Sequence, residues 1–101
     1  MHLVQLILPL FDNSGAAIAP GVFAEVRRKL LDQFGGVTAF TRAPAQGLWQ
    51  DGRSVQRDDV LLYEVMVETL DAEWWTAYRR ELERKFQQQE LVVRAHLIER
   101  L

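Results

Sequence analysis

One stretch limits what this chain can become. Asp59 to Leu70 reads Asp-Val-Leu-Leu-Tyr-Glu-Val-Met-Val-Glu-Thr-Leu, rich in β-branched and aromatic residues and bounded on both sides by turn-forming ones. Such a run predicts the central strand of a sheet. Alternate residues point to opposite faces, so Leu61, Tyr63, Val65 and Val67 share one side, and Val60, Leu62, Glu64, Met66 and Glu68 the other. The first set is apolar apart from a phenol and needs a covering layer. The second mixes apolar and acidic side chains, so it faces something less dry, and function is to be sought there.

The rest of the chain supplies the cover. Leu3 to Leu10 is apolar on nearly both faces, as expected of an interior strand, with Pro9 at its end. Asp12-Asn13-Ser14-Gly15 is turn chemistry. Pro20 suits a first helical turn, Val22, Phe23, Val26, Leu30 and Phe34 follow at helical spacing, and Gly35-Gly36 ends the helix. Glu25, Arg27, Arg28, Lys29 and Asp32 form its solvated face.

Val37 to Arg42 reads as a strand, interrupted at Ala43-Pro44-Ala45 and resumed to a turn at Asp51-Gly52. Without a bulge, Phe40 would lie opposite Tyr63, Thr38 opposite Val65 and Ala39 opposite Glu64; Pro44 argues for a bulge or an edge position. Asp71 is an N-cap candidate for a second helix with Trp75, Tyr78, Leu82 and Phe86 as its buried stripe. Arg79 with Glu83 and Glu81 with Lys85 fall at i,i+4. Leu91 to Ile98 closes the chain as a strand, with Val92, Arg94, His96 and Ile98 on one face.

The order β-α-β-β-α-β predicts a single α+β domain over residues 1–101, a ferredoxin-like βαββαβ plait. Its four-stranded antiparallel sheet would run 4-1-3-2 with two helices on one face. Such a plait leaves the other sheet face bare. Here that face would carry Gln5, Ile7, Val37, Leu62, Met66, Val92 and Ile98, too apolar a patch to stay wet, which predicts a homodimer through the open sheet face.

Composition excludes several functions. There is no cysteine, hence no disulfide framework or thiolate chemistry. A formal charge of −2 argues against a phosphate-neutralising surface, so nucleic acid is not an expected partner. No apolar run reaches the roughly 20 residues that span a bilayer, so no membrane is expected. Ala17-Ile18-Ala19 after an apolar start has the look of a signal-peptide cleavage site. No Lys or Arg precedes the run, and Gln5 and Pro9 interrupt it, so the expected location is cytoplasmic. His2 and His96 lie far apart and no carboxylate-rich loop is present, so neither a metal nor a cofactor is implied.

Two site readings are open. In one, Glu64, Arg94 and His96, with Gln5 on the strand between them, line a cavity: His96 as acid or base, Arg94 as an anion holder, Glu64 as an orienting group. In the other, Glu64 and Arg94 form a satisfied ion pair within an interface to which Met66 contributes. Trp49, with Arg53 and Arg57 nearby, is a candidate to stack a small-molecule ligand or anchor a partner.

Phe34-Gly35-Gly36-Val37-Thr38, then Gly47-Leu48-Trp49, then Asp51-Gly52-Arg53 and the acidic pair before the long apolar strand resemble small uncharacterised bacterial domains of ferredoxin-like fold. The plan is also similar to dimeric α+β barrel proteins. That resemblance implies either a dimer-forming, non-catalytic domain that binds a small ligand or a protein, or a cofactor-free enzyme of monooxygenase, isomerase or decarboxylase type. No catalytic motif of those enzymes maps onto this sequence.

Overall fold

A computed structural model describes residues 1–51 and 54–101, with side chains described for 1–41, 48 and 59–101. Its elements are β1 (His2–Pro9), α1 (Pro20–Phe34), β2 (Thr38–Asp51), β3 (Ser54–Val67), α2 (Ala72–Lys85) and β4 (Val92–Leu97). The sheet runs β2-β3-β1-β4, and every pairing is antiparallel. The expected plait is therefore observed, with the apolar run after Asp59 beside the first strand.

Periodicity places the core. β1 turns Val4, Leu6 and Leu8 toward the helices, and β3 turns Leu61, Tyr63, Val65 and Val67 the same way. α1 buries Phe23, Val26 and Leu30 against them, and α2 buries Trp75, Tyr78 and Leu82. The phenol of Tyr63 is fully buried, yet its oxygen accepts a hydrogen bond from Arg27 Nη1 at 2.9 Å. Arg27, expected on the solvated face of α1, thus reaches in to satisfy a polar atom whose burial would otherwise be costly. The ring of Phe34 stacks on Trp75, with centroids 4.9 Å apart, joining the end of α1 to the start of α2.

The helix ends follow their sequence signals. Gly35 takes the left-handed conformation at φ 80° and its N–H donates to the Leu31 carbonyl. The Asp71 carboxylate accepts from the Trp74 N–H at 3.1 Å. Both i,i+4 pairs on α2 form, and Glu83 also accepts from the Leu91 N–H.

The register of β2 departs from the unbulged expectation. Thr38 lies opposite Glu64, Ala39 opposite Tyr63 and Phe40 opposite Leu62. Between Phe40 and Ala45 the ladder shifts: β2 advances from 40 to 45 while β3 retreats only from 62 to 60. The outer ladder then runs to Asp51 opposite Ser54, so Asp51, expected in the turn with Gly52, is the last residue of β2; residues 52–53 lie outside the described residues. A one-residue change of register exchanges the faces of a strand. Val37 accordingly packs against the core rather than on the open face, and Phe40 takes the open side, 45% exposed. Ile98 lies just past the end of β4, its N–H bonded to the Met1 carbonyl.

Leu82 is fully buried at the centre of the helix layer. Leu82→Ala is expected to cost about 3 kcal/mol of unfolding free energy, and Asp71→Ala about 1 kcal/mol through loss of the helix cap. Urea unfolding followed by tryptophan fluorescence measures both.

Candidate functional site on the open sheet face

The pairing of β1 with both of its neighbours builds the uncovered face as a set of rungs. Val92, Ile7 and Leu62 lie side by side, continued by Phe40 on β2. The next rung is Arg94, Gln5 and Glu64, continued by Thr38. Beyond it come His96, Leu3 and Met66. A polar rung thus separates two rungs made mostly of apolar side chains, among them Met66 at 52% exposure and Val92 at 48%.

The polar rung is a hydrogen-bonded relay. Arg94 Nε donates to Gln5 Oε1 at 2.8 Å, and Gln5 Nε2 donates to Glu64 Oε2 at 2.8 Å. Chemistry fixes the orientation of the amide: a guanidinium can only donate and a carboxylate only accept, so the Gln5 oxygen must face Arg94 and its nitrogen Glu64. Arg94 and Glu64 do not touch as the direct ion pair of the interface reading. Gln5 bridges them with charge-assisted bonds, which are stronger than neutral ones. β1, held between β3 and β4, is the element that places the amide.

Of the residues singled out in the sequence, Gln5, Arg94 and Glu64 are brought together, and Met66 lies one rung from them. His96 occupies the same rung as Leu3 and Met66, exposed, and among the described residues it makes no hydrogen bond. The side chain of Trp49 lies outside the described residues. Leu3, which sequence reading left out of the face, sits on β1, the middle strand of its rung, between His96 and Met66. Its alternation with Gln5 and Ile7 was the signal that could have found it.

A depression of about 590 Å³ adjoins this end of the face, lined by Leu3, Val37, Met66, Glu64, Glu68 and Arg100 among others. Among the described residues no group of three or more histidine and carboxylate side chains is arranged to hold a metal ion, and no helix is long and apolar enough to cross a membrane.

Comparison with known proteins adds fold but no family. No family model matches the chain, and no curated protein matches it. Among solved structures it is similar to the periplasmic divalent cation tolerance protein CutA from Archaeoglobus fulgidus, with a TM-score of 0.64 and 16% identity over 99% of this chain and 86% of that one. It is also similar to a phage SAM lyase in complex with S-methyl-5'-thioadenosine, with a TM-score of 0.60 and 16% identity over 94% of this chain and 79% of that one. Both are small α+β domains of the same plan; at this identity the likeness is one of fold.

Replacing Gln5 by Met removes the amide while keeping its bulk. In the single chain, where Arg94 is exposed and Glu64 half-buried, water takes over part of the lost bonding. The expected loss is about 1 kcal/mol of unfolding free energy, measurable by urea titration.

Proposed function

We propose that this chain is a non-catalytic, dimer-forming domain whose open sheet face is covered by a second copy of itself. The observation that supports this is the relay Arg94–Gln5–Glu64, whose hydrogen bonds run sideways within the face. A catalytic cluster needs groups free to meet a substrate, whereas here the Arg94 Nε, both ends of the Gln5 amide and one Glu64 oxygen are already engaged. Drying this rung leaves the terminal guanidinium nitrogens of Arg94 and the second Glu64 oxygen in need of partners from the covering copy, while the apolar rungs beside it gain by being dried. Phe40, brought onto this side by the register of β2, enlarges the apolar part.

A small ligand has its natural place in the depression beside Met66 and Arg100, at the margin of the proposed interface. The enzymatic reading, with His96 as acid or base, has less behind it. His96 is a rung away from Arg94, about 7 Å along the strand, and is exposed in the single chain. A cytoplasmic setting, with which the cysteine-free composition is compatible, belongs to the same proposal.

Sedimentation equilibrium of the wild type and of Met66→Asp tests the proposal. The wild type is expected at the mass of two chains and the variant as a folded monomer, with a dissociation constant raised at least tenfold. A monomeric wild type at high concentration, or a variant that associates as well as the wild type, would refute it.

A further inference from the structure

The geometry points to one particular arrangement of the two copies: a twofold axis parallel to the strands that passes over Gln5, so that Arg94 of each copy meets Glu64 of the other. This rests on the self-association proposed above and adds the symmetry and the charge contact.

Face-to-face sheets related by a twofold have their axis in the plane between them. Two simple orientations exist for that axis, along the strands or across them. The polar rung has a direction, positive at Arg94 on β4, neutral at Gln5 on β1, negative at Glu64 on β3. With the axis across the strands, Arg94 would face Arg94 and Glu64 would face Glu64. With the axis along the strands and over Gln5, the rung is reversed in the second copy, and each guanidinium faces a carboxylate. Like charges facing each other in a drying interface repel strongly, so the direction of the rung selects the axis along the strands.

The free atoms and the dimensions agree. Gln5 engages only Nε of Arg94 and only Oε2 of Glu64. Among the described residues, the terminal guanidinium nitrogens of Arg94 and Oε1 of Glu64 have no hydrogen-bond partner, and so are available to a second copy. Packed sheets lie about 10 Å apart, a gap that an arginine and a glutamate from opposite sides can close. The same axis sets Ile7 on Ile7, Leu3 on Leu3, Val92 on Leu62 and His96 on Met66 over β4, β1 and β3, while β2 with Phe40 lies beyond the edge strand β4 of the second copy.

Opposite charge reversals test the contact. Arg94→Glu carries two carboxylates on the rung and Glu64→Arg two guanidinium groups, so each alone is expected to dissociate at least tenfold more readily than the wild type. An equimolar mixture restores opposite charges at both crossings and is expected to regain a dissociation constant within about threefold of the wild type; that regain also shows that both variants are folded. The milder Arg94→Gln decides the axis: it weakens association if Arg94 meets Glu64 and strengthens it if Arg94 meets Arg94. A wild type that associates while the mixture stays monomeric, an Arg94→Gln that tightens association, or a mass of three chains would each overturn the twofold contact and leave self-association standing. A monomeric wild type would remove the proposal on which it rests.

Discussion

The eight-rung antiparallel ladder between β1 and β3, from His2 opposite Val67 to Pro9 opposite Val60, is the constraint on which everything else here depends. It sets Leu6 beside Tyr63 and Val4 beside Val65 on the helix side, and in the same stroke Gln5 beside Glu64 on the other. Moving it by one residue would drive Glu64 into the core and Tyr63 out of it, exchanging the whole apolar set for the mixed one. The burial of the helix-facing residues therefore fixes the polar rung as firmly as it fixes the core. The geometry of the open face is inherited from packing on the opposite side of the sheet.

Arg27 shows how this coupling extends to the helices. Tyr63 brings a large ring into the core together with a hydroxyl that needs a partner, and the partner comes from α1. An apolar core fixes volumes well and orientation poorly; one directional bond between helix and central strand adds orientation. At the other end of the helix layer the stack of Phe34 on Trp75 fills the seam between α1 and α2 with flat surfaces. Together they hold the helices to one face and leave the other free for contacts outside the chain.

The plait was legible in the sequence because its signals are local. Alternation in 59–70, helical spacing of Phe23, Val26 and Leu30, glycine after Phe34 and aspartate before Ala72 each act within a few residues. The face of β2 was not legible, since it depends on how many residues a bulge absorbs between Phe40 and Ala45, and no local preference counts them. That one quantity exchanged Val37 and Phe40 between core and open side. The residues of the polar rung could be chosen from sequence, with Gln5 on the strand between Arg94 and Glu64, but not their bonding: strand order alone does not say that the amide bridges the two charges. Arg27 escaped notice because a long cationic side chain on an otherwise charged helix face gives no hint that it is spoken for.

The shift in the β2 ladder also divides the hairpin into two parts with different freedoms. Inboard of it, β3 is held by β1 and the core; outboard, 45–51 and 54–59 pair with each other, and the Leu10 N–H on the Asp59 carbonyl ties the base of this ribbon to the end of the first strand. The outer ribbon can therefore change length without disturbing the sheet, provided that residues come or go in matched pairs on its two strands. The plait is thus a body held by the packing of Tyr63, from which a ribbon extends whose ladder is closed by its own two strands.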